Sequence, residues 1–200
     1  MRYSINEVLE FAGKFFMGNS PIQLALRRIT RALTEMKIPY ALAGALAVNA
    51  HGHRRTTEDV DLLMTREGLQ RFKERWLGLG WVEKFPGSKG LRDTEHNVKI
   101  DVILTGEYPG DGKPKPIAFP DPAQGSAPNE EGIAILTLPV LLELKIASGM
   151  TAPHRPRDLD DTIQLIRNNR LPRDYAESLH PFVRAKFEEL WQAAQVEEDY

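Results

Sequence analysis

Acidic residues in a predicted strand are the part of this chain best suited to chemistry. Asp59 and Asp61 stand two positions apart in the run EDVDLLM. Residues two apart in a strand have their side chains on the same face, so both carboxylates would project from one side of a sheet. Neighbouring carboxylates repel each other, and a hard divalent cation such as Mg²⁺ removes that repulsion. The pair therefore predicts a metal site, although a bare pair of this kind is more often two solvated carboxylates that form caps or salt bridges.

A third carboxylate in a later predicted strand makes the metal site more specific. Asp101 interrupts the β-branched run VKIDVI at residues 98–103. The apolar residues of this run are expected to face the core, which turns Asp101 to the opposite side. If this strand is the neighbour of the strand with Asp59 and Asp61, three carboxylates converge and can hold two Mg²⁺ ions. Two such ions, about 3.5–4 Å apart, are the usual arrangement for in-line attack at phosphorus.

A glycine between a predicted strand and a predicted helix could bind phosphate. Gly44 follows the apolar run at 38–43 and precedes a segment of helix formers at 45–50. A turn of this kind presents backbone N–H groups and a helix N-terminus to an anion, which suits the phosphates of a nucleoside triphosphate. A single glycine is weak evidence by itself. Its combination with the three aspartates favours a nucleotide site.

Composition limits the other function classes. The chain has 200 residues, 42% of them hydrophobic, a formal net charge of −2 and no cysteine. These values are ordinary for a soluble globular protein, and the net charge provides no global attraction to nucleic acid or to an anionic membrane. The absence of cysteine excludes disulfides and thiolate zinc sites and fits a reducing compartment. Without a signal-peptide or membrane-spanning pattern, we expect a cytoplasmic protein with no membrane partner.

Hydrophobic periodicity predicts an α+β fold, with a small mixed β-sheet and flanking helices. Helices are expected at residues 5–12, 21–33, 45–50, 65–78, 138–146 and 157–166, with further helices that begin near Pro172 and Pro181. Strands are expected at residues 38–43, 58–64, 81–82, 98–104 and 133–136. The segment 106–132 is crowded with proline and glycine and predicts a long loop or an edge hairpin. From residue 138 onward the chain is predicted to be helical.

The order of these features resembles the DNA polymerase β-like nucleotidyltransferase superfamily. Its hallmark is a glycine followed by Gly or Ser, a short helix, a DxD or DxE strand, and a third carboxylate on an adjacent strand. The corresponding residues here are Gly44, Ala45, Asp59, Asp61 and Asp101. The run HGHRRTTEDVDLL looks like the branch with abortive-infection and toxin–antitoxin nucleotidyltransferases. The resemblance implies a nucleotidyltransferase core with N-terminal helices at 1–137 and a C-terminal helical segment at 138–200.

The resemblance also implies roles for individual residues. Asp59, Asp61 and Asp101 would be the catalytic residues and the ligands of two Mg²⁺ ions, and Asp101 would help to deprotonate the attacking hydroxyl. The implied nucleotide-binding residues are Gly44, Ala45, Arg55, Thr57, Lys145 and Asp158, with Arg54 and Thr56 as alternatives to Arg55 and Thr57. For two of these residues, an explanation without a nucleotide is also open. Lys145 could snorkel from an amphipathic helix, and Asp158 could be a first-turn acid that the helix dipole favours.

The implied activity is transfer of a nucleoside monophosphate from a nucleoside triphosphate, such as ATP, to a hydroxyl. The acceptor could be tRNA, a protein or a small molecule, and a cognate antitoxin is a further expected partner. One residue departs from the pattern, because Ala45 lacks the hydroxyl that a serine would offer to the phosphates. The alternative is therefore a catalytically inactive nucleotidyltransferase-fold protein with a binding or regulatory role. A third possibility, structural surface acids on an unrelated fold, requires Asp101 to lie far from Asp59.

Overall fold

The computed structural model describes residue 13 and residues 20–196. The helices are α1 (Pro21–Glu35), α2 (Gly44–Ala50), α3 (Arg66–Trp76), α4 (Pro122–Gly125), α5 (Leu138–Thr151), α6 (Pro156–Asn168) and α7 (Pro181–Ala194), with a 3₁₀ helix at Arg173–Ser178. The strands are β1 (Tyr40–Leu42), β2 (Asp59–Met64), β3 (Trp81–Glu83), β4 (Leu91–Asp93), β5 (Val98–Leu104), β6 (Ser126–Pro128) and β7 (Ala134–Leu136). The helix predicted at 5–12 lies outside the described residues.

The strands form one mixed sheet in the order β3-β4-β5-β2-β1-β7-β6. The pairs β2/β5 and β1/β7 are parallel, and the other neighbours are antiparallel. This sheet and its helices confirm the predicted α+β class. For the site, the decisive pair is β2/β5, because it places the two strands with the acidic residues side by side.

Alternation along the two central strands decides which side chains reach the core. Val60 and Leu62 of β2 and Ile100 and Val102 of β5 are at most 2% exposed. Their apolar side chains share one buried core with residues of α1 and α3. Since successive residues of a strand point to opposite faces, the intervening residues of β2 and β5 lie on the other side of the sheet. The core therefore fixes the direction of the acidic side chains.

The short strand β4 was not predicted, and β6 was expected only if the segment 106–132 formed a hairpin. β4 has three residues around the exposed Arg92, and so it lacks an apolar run long enough to identify it. β6 lies in the segment 106–132 and pairs with β7 in an antiparallel hairpin at the edge of the sheet, one of the two forms expected there. Pro128 ends β6, and an edge strand tolerates proline because one side of its backbone needs no sheet partner.

The C-terminal helices cover one side of the candidate site. α5 begins at Leu138 with a proline in its first turn, and α6 begins at Pro156. α5 and α6 approach each other closely at Gly149, where a Cβ atom would lie 2.4 Å from the Leu159 side chain. The domain boundary expected after residue 137 stays a prediction. Within the described part of the chain, no helix has the length and apolar character needed to cross a membrane.

Candidate active site

The three predicted acids lie on one face of two adjacent strands. In the parallel β2/β5 pair, Asp61 is the register partner of Asp101, and Asp59 is the partner of Lys99. The side chains of Asp59 and Asp101 are 34% and 35% exposed, so both remain accessible to solvent and to a ligand. Asp101 therefore lies near Asp59. The third possibility, surface acids on an unrelated fold, required these two residues to lie far apart. The catalytic and metal-binding roles of these residues stay predictions.

Asp61 is the most perturbed carboxyl of the set. Burial, together with repulsion from Asp59 and Asp101, raises its pKa from 3.8 to about 6. The positive charges of Lys145 and Lys99 oppose this rise but do not cancel it. Negative charge is thus incompletely compensated at this point of the sheet. A set of carboxylate oxygens with excess negative charge fits a hard divalent cation such as Mg²⁺.

A lysine lies between two of the carboxylates. The Nζ atom of Lys99 donates a short hydrogen bond to Oδ2 of Asp101 and lies 3.9 Å from Oδ2 of Asp59. The hydrogen bond to Asp101 raises the pKa of Lys99, so its ammonium stays charged. In the described residues, no three acidic or histidine side chains are grouped closely enough to surround a metal ion. In this structure, the carboxylates of Asp59 and Asp101 share the ammonium of Lys99.

Gly44 contacts Asp61 so closely that only glycine fits. Its φ of +56° lies in the left-handed region, and a Cβ atom on it would be 1.8 Å from Oδ2 of Asp61. The Ala43 amide donates to the Asp61 carbonyl at 2.9 Å, which ties the turn to β2. In the first turn of α2, amides have no intrahelical acceptor and are available to a ligand. The side chain of Ala45 is buried, so position 45 could contact phosphate only through its backbone.

A substitution at Gly44 tests this contact. If the protein carries out the nucleotidyl transfer that its sequence implies, Gly44→Ala should lower the rate by about 100-fold, because the new methyl group displaces the Asp61 carboxylate, and misplacement by about 1 Å can have that cost. Gly112→Ala is the matched control, since Gly112 also has a positive φ of +73° but no atom within 4 Å of its Cβ position. Both variants share the backbone strain. Equal activity in the two variants, measured at equal folded fractions, would contradict the proposed contact.

Thr57 and Arg55 make protein contacts beside the acidic residues. Thr57 Oγ1 donates to Oδ1 of Asp59 at 2.8 Å and so orients that carboxylate. The guanidinium of Arg55 pairs with Asp161, with Nη2 at 2.9 Å from Oδ2. Two backbone–side-chain hydrogen bonds to Asn49, each 2.8 Å long, hold the backbone of Arg55. The segment before β2 is therefore anchored both to α2 and to α6.

Lys145 is buried, with two carboxylate partners. Its Nζ atom donates to Oδ1 of Asp158 at 2.9 Å and to Oδ2 of Asp161 at 2.7 Å, and the residue is only 6% exposed. Burial would raise the pKa of Asp158, but the Lys145 ammonium and a hydrogen bond from Ser148 outweigh burial and lower it. Lys145 thus points into the protein and does not snorkel to solvent.

Asp161 is a site residue that the sequence analysis missed. It is 1% exposed and accepts hydrogen bonds from both Arg55 and Lys145. Asp161 follows Asp158 by three residues on α6, and residues at this spacing share a helix face. A search of that face for carboxylates near Lys145 could have found it. Its pairing with Arg55 could not be found in this way, because it joins residues 106 positions apart.

A cleft of about 340 Å³ passes beside these residues, a volume within the usual range for small-ligand sites. Its lining includes the predicted residues Gly44, Asp61, Asp101, Lys145 and Asp158. Ala45, Arg55, Thr57 and Asp59 do not line this cleft. The opposite wall comes from the loop after β5 and contains Tyr108 and Phe119, which the sequence analysis missed because that loop has no periodic pattern.

The loop that forms this wall has internal support. The ammonium of Lys115 is hydrogen-bonded to the Pro109 carbonyl at 2.6 Å and to Asp111 at 2.7 Å. Gly110 packs against α5, where a Cβ atom would lie 2.3 Å from Oγ1 of Thr151. These contacts hold the loop against α5 and give the cleft a second side.

Comparisons with solved structures find proteins of similar fold. No family model and no curated protein matches the chain. The crystal structure of the aminoglycoside nucleotidyltransferase ANT(2″)-Ia in complex with adenylyl-2″-tobramycin matches with a TM-score of 0.53 and 14% identity, over 83% of this chain and 96% of that chain. The solution structure of ANT(2″)-Ia matches with a TM-score of 0.48 and 14% identity, over 84% of this chain and 89% of that chain. TM1012 of Thermotoga maritima, a candidate nucleotidyltransferase, matches with a TM-score of 0.46 and 16% identity, over 70% of this chain and 91% of that chain. The chain therefore shares its fold with the nucleotidyltransferase ANT(2″)-Ia.

Proposed function

We propose that the protein is a Mg²⁺-dependent nucleotidyltransferase, which moves a nucleoside monophosphate from a nucleoside triphosphate to a hydroxyl. The observation that supports this most strongly is the in-register pairing of Asp61 with Asp101. Asp59 lies on the same face, and Gly44 touches Asp61 at the edge of the cleft. The three aspartates could bind the metal of a metal–triphosphate substrate, and the turn at Gly44 and the cleft could bind its phosphates.

The metal would be held by the carboxylates of Asp59, Asp61 and Asp101, whose side chains would have to move closer together than they are in this structure. Their donor atoms are all oxygen, and the pKa of Asp61 is raised by burial and by the negative charges of Asp59 and Asp101, which a cation would compensate. When bound, Mg²⁺ supplies charge neutralisation for the triphosphate and for the leaving pyrophosphate. Thr57 would keep Asp59 in position through its hydrogen bond to that carboxylate.

Other residues of the chain would bind and orient the nucleotide. The backbone amides of Gly44 and Ala45 would donate to phosphate oxygens, and Lys145 would compensate phosphate charge as a compact cation. Asp158 shares the Lys145 ammonium and lines the cleft beside it. Arg55 acts from outside the cleft lining, where its ion pair to Asp161 supports the segment before β2.

Proton transfer falls to Asp101. A carboxylate oxygen of this residue would take the proton of the acceptor hydroxyl. The acceptor oxygen then forms its bond to the α-phosphorus, and the bond to the β-phosphate oxygen breaks with release of pyrophosphate. Little covalent help is required, since positioning and charge neutralisation supply most of the rate in this class of reaction.

Transfer of label from the α-phosphate tests the proposal. The purified protein is incubated with Mg²⁺ and each nucleoside triphosphate, labelled at the α- or at the γ-phosphate, in separate arms with tRNA, protein extract or an aminoglycoside. Label should pass to an acceptor only from the α-phosphate. Asp101→Asn should lower the rate at least about 1,000-fold, the scale for losing an essential group, whereas Asp160→Asn on the exposed face of α6 should not.

The outcomes separate the proposal from its rivals. Transfer of the γ-label would indicate a phosphotransferase. No transfer in any arm, with retained binding of Mg²⁺ and nucleotide, would support the inactive binding protein. The aminoglycoside arm is included because ANT(2″)-Ia was crystallised with an adenylylated aminoglycoside. A toxin–antitoxin role, an antitoxin partner and a cytoplasmic location stay predictions from the sequence.

A further inference from the structure

Lys99 occupies a place that the proposed function does not require. It stands two residues before Asp101 on β5 and is the register partner of Asp59 on β2. Its ammonium therefore contacts one carboxylate of the acidic set and lies within ion-pair distance of a second. The lysines that line the cleft have other partners, since Lys145 pairs with Asp158 and Asp161 and Lys89 pairs with Glu107. In the described part of the chain, Lys99 is thus the lysine whose ammonium pairs with proposed metal ligands.

We propose that Lys99 is a built-in counter-cation, which binds the carboxylates when Mg²⁺ is absent and must be displaced for Mg²⁺ to bind. This inference rests on the proposed function, because it assumes that Asp59 and Asp101 are metal ligands. A divalent cation and an ammonium group compete for the same oxygen atoms. The lysine would therefore stabilise the metal-free protein and lower its affinity for free Mg²⁺.

The geometry allows the lysine to leave. Its side chain is 39% exposed and has a flexible four-carbon stem, so the ammonium can move into solvent without disturbing the core. The ion pairs that it gives up are half-exposed, and such pairs contribute little to stability. Displacement is therefore possible at ordinary Mg²⁺ concentrations. The arrangement also limits binding of Mg²⁺ alone, before a nucleotide arrives.

Metal affinity measured without substrate tests the competition. Mn²⁺ binding to the full chain is followed by electron paramagnetic resonance for the wild type, Lys99→Met, Lys99→Arg and Lys89→Met. We expect Lys99→Met to tighten Mn²⁺ binding by roughly tenfold, because it removes both the competitor and a nearby positive charge. Lys99→Arg should restore affinity near the wild-type value. Lys89→Met removes a lysine from the same cleft but should change affinity by no more than about twofold, since screening weakens charge effects at a distance.

Thermal unfolding gives the second readout. In EDTA, Lys99→Met should unfold at a lower temperature than the wild type, and the rise in unfolding temperature on addition of Mg²⁺ should be larger in the variant. If Lys99 had only a structural role, Lys99→Met would lower the unfolding temperature in EDTA but would not increase its rise on addition of Mg²⁺. Equal Mn²⁺ affinity in wild type and Lys99→Met would overturn this inference alone. No Mn²⁺ binding in any variant would overturn it together with the metal requirement of the proposed function.

Discussion

The variant Asp61→Asn is expected to be catalytically inactive and yet more stable than the wild type. If Asp61 binds the metal as proposed, its loss should lower transfer by about 100- to 1,000-fold. At the same time, the uncharged amide avoids the cost of burying a carboxylate and removes the repulsion that Asp59 and Asp101 exert on it. In the absence of metal at about pH 8, we expect the free energy of unfolding to rise by about 2 kcal/mol, a conservative value for a pKa shift of this size.

The pH dependence has a definite sign. Asp61 has a pKa of about 6 in the folded protein and an ordinary value of 3.8 in the unfolded chain, so the folded state binds the proton more tightly. Its contribution to stability is therefore fully present below pH 3.8 and is lost as pH rises to about 6. The wild type should lose stability over this window in EDTA, and Asp61→Asn should lose less.

Urea unfolding in EDTA at several pH values measures the effect. Asp160→Asn is the control for removal of one negative charge, because Asp160 is exposed and no ion pair of the described residues includes it. It should change stability by less than about 0.5 kcal/mol, as is usual for surface substitutions. An Asp61→Asn protein that is less stable than the wild type at high pH would contradict the described environment of Asp61.

Asp161→Ala is expected to have the largest effect on stability. It would leave the buried Lys145 with Asp158 as its remaining carboxylate partner and would take away the partner of Arg55. Removal of one member of a buried ion-pair network typically costs about 3–5 kcal/mol, because a buried charge loses its compensation. We expect a loss of that size in urea unfolding. Transfer activity should also fall, since both cations lose their positions.

Neighbouring substitutions control for this prediction. Asp160→Ala removes a carboxylate one position away on the exposed side of α6 and should cost less than about 0.5 kcal/mol. Asp161→Asn keeps an oxygen acceptor, so its loss in free energy of unfolding should lie between those of Asp160→Ala and Asp161→Ala. This variant keeps the test informative if Asp161→Ala does not fold. A loss below about 1 kcal/mol for Asp161→Ala would show that the network contributes no more than a surface ion pair.

The sheet face on which each acidic residue lies could be predicted from the sequence, because successive side chains of a strand alternate between the two faces of the sheet. The pairing of these strands could not be calculated from periodicity and followed only from the family resemblance. The register between β2 and β5 could not be predicted from periodicity either. Alternation places Lys99 on the face of Asp101, but only the observed register sets it opposite Asp59.

The helical side of the site was harder to predict. The sequence indicated Lys145 and Asp158 as residues near a nucleotide but could not show that they bind each other. Their distance depends on the close crossing of α5 and α6, which Gly149 permits and which has no sequence signature of its own. The same limit applies to Arg55, whose partner Asp161 lies far away in the chain.

Anomalous diffraction from Mn²⁺ in crystals with a non-hydrolysable nucleoside triphosphate tests the central claim most directly. The proposal predicts manganese peaks bound by carboxylate oxygens of Asp59, Asp61 and Asp101, at the distances of about 2.1 Å that divalent oxygen sites require. The triphosphate should lie beside Gly44, with the Lys99 ammonium withdrawn from Asp101. Manganese bound elsewhere, or a nucleotide bound away from these three aspartates, would contradict the account.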